Sequence, residues 1–169
     1  MVILETNRVI LRRLQPDDLD DLAALYQDPD IRRYFPEGTL TRAETAKELA
    51  WFTNGDDPAH PRLGLWATIH KETKTFIGRS GLIPWEIEGR TEIEIAYLVA
   101  KSHWRQGLGA EIATALVHYG FEELGLSRLI ALIDPQNEAS RRTAIKAGLR
   151  FERDLILDGT ACSVHAIQK

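Results

Sequence analysis

The sequence predicts a mixed α/β fold built on a mostly antiparallel sheet. Short apolar runs bounded by charged or turn residues recur along the chain, which is typical of strands. Between them lie segments whose apolar residues recur every three or four positions, as in amphipathic helices. Most of the strand-like runs follow one another through short turns and favour antiparallel pairing, whereas one pair is separated by a helix and favours a parallel crossover. The predicted order is β-α-α-β-β-β-α-β-α-β-β.

Length and composition indicate a single domain over residues 1–169. A hydrophobic content of 44% and a charged content of 27% are ordinary for a globular protein of 169 residues. The net charge of −4 and the lack of a basic run argue against a nucleic-acid partner. We expect no membrane partner, because no apolar stretch is long enough to cross a bilayer. Cys162 cannot form an internal disulfide, and the start of the chain lacks a signal-peptide pattern, so we expect a cytoplasmic protein.

A strand and two helices are predicted for the first third of the chain. The apolar run flanked by charge at 8–12 predicts the strand. The first helix begins at the proline and the two acidic residues of 16–18, because acidic groups suit the positive end of a helix. It ends at 28–29, where a proline follows an aspartate. The pattern Thr-x-x-Glu at 41–44 is a capping box that starts the second helix, which runs to about Phe52.

The middle of the chain predicts an antiparallel meander. The residues at 54–58 have the composition of a loop. The segment 71–74 reads as the turn of a hairpin, and a second break is expected at 84–90. The three strands of the meander are predicted at 63–70, 75–83 and 91–99.

The last third predicts a parallel crossover followed by a helix and a hairpin. A helix runs from Leu108 to near Gly125, because its apolar residues share one face and glycine suits a helix end. The dipeptide at 158–159 is Asp-Gly, which favours a tight two-residue turn. The remaining elements are a strand at 128–133, a helix from 137 to 148, and hairpin strands at 150–157 and 160–167.

A glycine turn follows the apolar strand at 95–100 and opens the helix at Leu108. Gly107 and Gly109 lack a Cβ, so backbone N–H groups there can approach a ligand closely. The free N–H groups and the positive end of the helix would face whatever lies in the turn, which suits a pyrophosphate. A tight packing turn explains the same residues equally well.

Six segments in order resemble the GNAT superfamily of acetyl-CoA-dependent N-acetyltransferases, and the RimJ/RimL-type branch in particular. Together they extend over most of the chain, and the matching order and spacing carry the resemblance. The segments are 4–13, 28–31, 94–97, 104–110, 137–140 and 146–148. The resemblance implies a central sheet with helices on both faces.

The resemblance also implies where acetyl-CoA binds. The pyrophosphate motif of the family is Gln/Arg-x-x-Gly-x-Gly/Ala, and Trp104 stands in its first place, as in the RimJ/RimL branch. The pantetheine arm would lie between the strands at 91–99 and 128–133. An N–H on the first of these strands, that of Leu98, would stabilise the developing negative charge. The implied cofactor-binding residues are Leu98, Val99, Arg105, Gln106, Gly107, Leu108, Gly109, Ala110 and Asn137.

Two residues are candidates for moving protons. An amine must lose a proton to attack, and Glu94 matches the usual base of the superfamily. Glu92 shares its strand face, so the two carboxylates would raise one pKa, although both could also line a solvated face. Ser140 would donate a proton to the departing thiolate, although Ser140 and Asn137 also fit the start of a helix. The tyrosine acid of many members is absent, because Ala144 takes its place.

We therefore predict an N-acetyltransferase that works by direct attack of an amine, without an acyl-enzyme. The acceptor is a protein N-terminal α-amine or a small amine such as an amino acid, polyamine or amino sugar, and the fold does not decide between them. A non-catalytic acyl-CoA-binding module is a third alternative, which Glu94 and Ser140 argue against. By resemblance, Tyr34, Phe35 and Trp85 shape the acceptor cleft. The histidines share no metal-ligand spacing, so no metal is assigned. A homodimer remains open.

Overall fold

A computed structural model describes residues 1–54 and 59–169 of the chain. Of the loop expected at 54–58, Asn54 ends a helix and the rest lies outside the described residues. The strands are β1 Val2–Glu5, β2 Val9–Arg13, β3 Gly64–His70, β4 Phe76–Ile87, β5 Arg90–Val99, β6 Arg128–Ile133, β7 Arg150–Leu157 and β8 Thr160–Gln168. The α-helices are α1 Leu19–Gln27, α2 Arg42–Asn54, α3 Leu108–His118 and α4 Glu138–Lys146.

The eight strands form one sheet in the order β1-β2-β3-β4-β5-β6-β8-β7. All neighbouring strands pair antiparallel except β5 and β6, which run parallel because α3 crosses between them. The predicted mixed fold, the meander and the crossover are therefore confirmed. The last hairpin closes through Asp158 and Gly159, whose φ angles of 49° and 79° are those of a tight two-residue turn.

Two strand predictions were wrong. The N-terminal strand β1 was missed, because it has only four residues and pairs with β2 alone at the edge of the sheet. The break expected at 84–90 is much shorter, since β4 continues through Pro84 to Ile87. Pairing between β3 and β4 ends at Leu82, so Pro84 lies where β4 has an open edge and its missing N–H costs no bond on that side.

Helices cover both faces of the sheet. The helices α3 and α4 bury their apolar side chains against one face, around Ile95, Ile112 and Leu116. On the opposite face α1 and α2 pack over β3, β4 and β5, with Tyr26 fully buried. A third, smaller cluster joins the β4–β5 turn to β6 and β8 through Ile87, Ile130 and Val164. The helices α1, α3 and α4 therefore pack against β4 or β6, the strands next to β5.

Local signals start the helices where they were expected. Thr41 and Glu44 form the predicted capping box, with the Thr41 N–H donating to Glu44 Oε2 at 2.7 Å and the Glu44 N–H donating to Thr41 Oγ1 at 3.2 Å. Gly107 precedes α3 in a left-handed conformation, with φ of 76°. That conformation suits glycine and turns the chain sharply from β5 into the helix.

We expect Gly81→Ala to destabilise the fold, because the new Cβ would lie 1.9 Å from the carbonyl oxygen of Gly64. The two strands must separate locally, which costs about 1–3 kcal/mol and lowers the Tm. Gly109→Ala is the matched control, since its Cβ would find its nearest neighbour 3.5 Å away at Thr143 Cγ2. Equal Tm values for the two variants would contradict the pairing of β3 with β4.

Candidate active site

A gap opens between β5 and β6 close to the middle of the sheet. The two strands share one backbone pair, Glu94 with Ile130, and then continue without pairing to Val99 and Ile133. Backbone N–H and C=O groups along the gap therefore lack the partners that a sheet normally provides. We call the space between residues 95–99 and 131–133 the strand gap.

The pairing of β5 with β4 decides which backbone groups face the strand gap. The Ala100 N–H donates to the Ile77 carbonyl at 2.6 Å, and the register between the strands is unbroken from there to the turn. Hydrogen-bonded pairs alternate along an antiparallel ladder, so Leu98 bonds to β4 and Tyr97 and Val99 face the gap. The expectation that the Leu98 N–H would meet the developing charge therefore does not fit this pairing.

Trp104 closes one end of the strand gap. Its indole Nε1 donates to the Val99 carbonyl at 2.8 Å, which occupies that carbonyl and ties the turn to the end of β5. The N–H of Val99 and both backbone groups of Tyr97 stay available on this edge. The tryptophan in the first place of the glycine motif therefore shapes the turn through its side chain.

Glu94 lies at the head of the strand gap, where the strands begin to separate. Its carboxylate accepts hydrogen bonds from Trp85 Nε1 at 2.7 Å and from the backbone N–H of Leu132. Burial raises the pKa of Glu94 to about 7, and these two hydrogen bonds and the charge of Arg79 oppose the rise. A carboxyl that titrates near neutral pH can both take and release a proton under ordinary conditions.

Glu92 does not act on Glu94 as expected. Its carboxylate binds Arg128, with 3.0 Å between Glu92 Oε2 and Arg128 Nε, and Arg128 also binds Glu152. The positive charge of Arg128 therefore faces Glu92, and burial rather than a second carboxylate raises the pKa of Glu94. Sequence spacing showed that the two glutamates share a face but could not show which of them has a cationic partner.

Ser140 and Asn137 meet at the start of α4. The side-chain Oδ1 of Asn137 accepts a hydrogen bond from the Ser140 N–H at 3.1 Å, which caps the helix. The hydroxyl of Tyr97 lies 3.1 Å from Ser140 Oγ and donates to the Ser140 carbonyl at 3.0 Å. Burial raises the pKa of Tyr97 to about 12, so its hydroxyl keeps its proton. This contact across 43 residues had no sequence signal.

The glycine turn presents a row of backbone N–H groups. Arg105 and Gly107 have positive φ angles of 60° and 76°, and no acceptor is found in the described chain for the N–H groups of 105–110. Alternating backbone conformations of this kind form a concave nest that binds anions. Arg8 fixes the turn by donating to the Gln106 carbonyl at 2.8 Å and to Glu111 at 2.7 Å. The N–H groups expected to bind pyrophosphate therefore follow one another in a single turn at the start of α3.

An open pocket of about 390 Å³ lies at the last hairpin. It is lined by Pro135, two residues after β6, and by the hairpin residues Asp154, Leu155, Ile156, Ala161 and Cys162. Burial raises the pKa of Cys162, and the negative charge of Glu94 raises it further.

The described residues hold no group of three or more histidine, cysteine or acidic side chains arranged for a metal. Among the helices of the described chain, none is long and apolar enough to cross a membrane.

Comparison with known proteins shows a family. The acetyltransferase (GNAT) domain family matches residues 8–150. The uncharacterized protein YkkB of Bacillus subtilis (strain 168) is 35% identical over 90% of this chain and 87% of its own length. The uncharacterized N-acetyltransferase YoaA of the same organism is 32% identical over 89% of this chain and 84% of its own length.

Solved structures share the whole fold. A GNAT-family acetyltransferase from Bacillus anthracis has a TM-score of 0.82 at 23% identity, over 99% of this chain and 98% of that chain. A candidate ribosomal-protein-serine acetyltransferase from Vibrio cholerae reaches 0.74 at 21% identity, over 100% and 98% of the two chains. Aminoglycoside acetyltransferase AAC(6')-Ib in complex with coenzyme A reaches 0.76 at 18% identity, over 95% of each. At these identities the likeness concerns the fold alone.

The raised pKa of Glu94 makes stability depend on pH. Between the ordinary value of 4.5 and about 7, the folded protein keeps a proton that the unfolded chain has lost. Stability therefore falls as pH rises through this window, by on the order of 3 kcal/mol, and is constant above it. Glu94→Gln removes this loss.

We expect the Tm of Glu94→Gln to rise relative to that of the parent protein as pH increases from 4.5 to 7. Thermal unfolding followed by circular dichroism across this range measures the difference. Glu72→Gln, in the exposed β3–β4 turn, controls for the loss of one surface carboxylate. A Tm difference for Glu94→Gln that stays constant with pH would show that this carboxyl is not buried as described.

Proposed function

The chain belongs to the GNAT family of N-acetyltransferases, and we propose that it transfers the acetyl group of acetyl-CoA to a primary amine by direct attack. The position of Glu94 carries this proposal. Its carboxyl lies where β5 and β6 part, it is held by Trp85 and Leu132, and its pKa of about 7 suits a base at neutral pH. No side chain is acylated, because the amine attacks the thioester itself.

The described residues fit acetyl-CoA as the second substrate. The unpartnered N–H groups of 105–110 suit the two negative charges of a pyrophosphate. Backbone groups of Tyr97 and Val99 face the strand gap and can pair with the amides of the pantetheine arm. Asn137 caps α4 through its oxygen, which leaves its Nδ2 to donate to the same arm. Acetyl-CoA supplies an acetyl group activated as a thioester.

Glu94 removes the proton of the amine. An amine with an ordinary pKa near 10 is almost wholly protonated at pH 7, and only the neutral form attacks. In our proposal the carboxylate of Glu94 takes this proton directly or through one water molecule. Its hydrogen bonds to Trp85 and Leu132 hold the carboxylate at the head of the strand gap. The N–H of Tyr97 or that of Val99 then replaces that of Leu98 as the donor to the developing negative charge, and the other groups on this edge remain for the pantetheine arm.

Ser140 returns a proton to the leaving group. Its hydroxyl lies at the start of α4, beside the hydroxyl of Tyr97, and in our proposal it donates to the departing thiolate. The Tyr97 hydroxyl keeps its proton and donates it to the Ser140 carbonyl, which holds the start of α4 against β5.

We propose that the chain resembles the RimJ/RimL branch in function, with a protein N-terminal α-amine as one acceptor class. Trp104 in the glycine motif and the Vibrio cholerae neighbour support this placement. A small-molecule amine is the second class, since AAC(6')-Ib, named as an aminoglycoside acetyltransferase, shares the fold equally well. Thiol release measured over a panel of small amines and N-terminal peptides decides between the two.

We expect Gly109→Val to weaken the binding of acetyl-CoA by at least about tenfold, since a branched side chain at this position would stand among the N–H groups of the turn. Isothermal titration calorimetry measures the affinity. Gly109→Ala is the control, because the family motif accepts alanine there and its Cβ has ordinary contacts. Unchanged affinity in a folded Gly109→Val protein would refute the pyrophosphate assignment. Gly107 is unsuitable for this test, since its φ of 76° strains any other residue.

We expect Glu94→Gln to lower kcat/KM on the order of 10²-fold, because glutamine keeps the size of glutamate but cannot accept the proton. The loss should shrink as pH rises, because more of the amine is then already neutral. Affinity for acetyl-CoA should hardly change. Glu92→Gln is the matched control on the same strand face. If Glu92→Gln is the damaging change and Glu94→Gln is silent between pH 6 and 9, the assignment of the base is wrong.

Ser140→Ala should lower kcat by roughly 10–100-fold while the protein stays folded, since it removes the donor to the thiolate. Steady-state kinetics and thermal unfolding of the same preparation separate this role from helix capping. Asn137 supplies the cap through its own side chain, so the Tm should change little. A lower Tm with kcat unchanged would show that Ser140 only supports the start of α4.

A further inference from the structure

Two buried arginines, Arg32 and Arg79, lie on the Glu94 face of the sheet, and no carboxylate of the described residues is within hydrogen-bond distance of either. The exposed fractions are 4% for Arg32 and 6% for Arg79. Arg79 Nε donates to the Tyr26 hydroxyl at 2.9 Å, and Arg32 Nε donates to the Gly38 carbonyl at 2.7 Å. The nearest acid to Arg32 is Glu37, at 3.7 Å and with a largely exposed side chain. A buried charge is costly unless an opposite charge compensates it.

Elsewhere the chain pairs a buried charge fully. Asp18 is 5% exposed and receives two hydrogen bonds from Arg12, at 2.7 and 2.8 Å. Glu48, the acid that belongs to the cluster of the two arginines, accepts instead from the Tyr26 hydroxyl. The carboxylate of Glu48 therefore acts on both guanidinium groups from a distance, and Arg32 also has Glu37 at 3.7 Å. Each guanidinium also lies over the rings of Tyr26 and Phe35.

The end of the Arg79 side chain reaches accessible space. Neither Nη of Arg79 has an acceptor among the described residues. Among the described residues, only His165 Nδ1 is a side-chain nitrogen or oxygen that is both fully shielded from solvent and without a hydrogen-bond partner. The Nη groups of Arg79 have no partner among these residues, so they must be partly accessible. The Nη groups of Arg79 are therefore not sealed in the core, and they have donors to offer to a ligand. A guanidinium presents such donors as a planar fork that matches a carboxylate.

Arg79 and Glu94 project from the same face of the sheet. Arg79 pairs with Leu98 in the β4–β5 ladder, and side chains of Leu98 and Glu94 lie on one face because the residues are an even number apart. The charge of Arg79 lowers the pKa of Glu94, so the two groups act on each other. One end of this face therefore offers a base for an amine, and the other offers cationic donors.

We propose that Arg79, assisted by Arg32, binds a carboxylate of the acceptor, so that the acceptor is an amino carboxylate whose amine lies at Glu94. This inference rests on the proposed function and narrows its substrate class. Bound this way, the carboxylate compensates the two buried guanidinium groups, and the amine is drawn to the strand gap. A free amino acid and a peptide that begins with an acidic residue both carry this chemistry.

Matched acid and amide acceptors test the inference. Thiol release from acetyl-CoA is measured for glycine, β-alanine and 4-aminobutyrate, each against its own primary amide, and for peptides that begin with Asp against peptides that begin with Asn. We expect kcat/KM to favour the acid by at least about tenfold in one or more pairs, as expected for a charge-assisted bidentate contact. The arm in which the preference appears identifies the source of the carboxylate.

Arg79→Met should bring the acid-to-amide ratio close to one. The ratio is the proper readout, because Arg79 also acts on the pKa of Glu94 and its loss affects every acceptor. Arg90→Met, at the exposed start of β5, is the matched control and should keep the preference. If Arg79→Met does not fold, Arg79→Lys keeps the charge but loses the fork, and the ratio should fall to an intermediate value.

Calorimetry that measures acceptor binding to the protein saturated with coenzyme A separates the proposed carboxylate site from the proposed acetyl transfer. Binding that selects the acids and is lost on changing Arg79, without acetyl transfer, would support the carboxylate site and refute the proposed reaction. Transfer to amides or to spermidine with no acid preference in any pair would overturn the carboxylate site and leave the reaction standing.

Discussion

The separation of β5 from β6 after a single backbone pair is the constraint on which the site depends. Strands that stay paired consume each other's N–H and C=O groups, whereas here both backbone groups of Tyr97 and the N–H of Val99 remain for a ligand. The helices α3 and α4 follow β5 and β6 in the chain, so the same separation places both helix starts beside the gap. Trp104 and the Tyr97–Ser140 contact hold these helix starts against β5.

Burial and pairing with other side chains decide the protonation and the contacts of the charged groups beside the gap. Glu94 is withdrawn from water where the strands part, and for that reason its pKa rises to about 7. Glu92, two residues earlier, binds Arg128 instead. Among the described residues, no carboxylate is within hydrogen-bond distance of Arg79 on the same face, and the charge of Arg79 keeps the pKa of Glu94 from rising further. One sheet face thus carries a carboxyl with a pKa of about 7 and a cationic group at separate positions.

Local sequence signals predicted most of the fold, and contacts between distant segments explain what they missed. The capping box at 41–44, the Asp-Gly turn and the glycine turn act over a few residues, so they could be read directly. Alternate residues of β5 bond to β4, and the others face the strand gap. The sequence does not show which residues bond to β4, so it could not show that the N–H groups facing the gap are those of Tyr97 and Val99. The hydrogen-bond partners of Glu92, Tyr97 and Arg79 come from other elements. Pro84 can lie within β4 because the pairing with β3 has ended before it.

A structure of the protein with coenzyme A and an acceptor amine tests the central claim most directly. The account predicts that the thiol sulfur lies in the strand gap and that the amine nitrogen is within hydrogen-bond reach of the Glu94 carboxylate, or within one bridging water of it. The pyrophosphate should lie on the N–H groups of 105–110. A sulfur placed outside the strand gap, or an amine on the far side of the sheet from Glu94, would contradict the account.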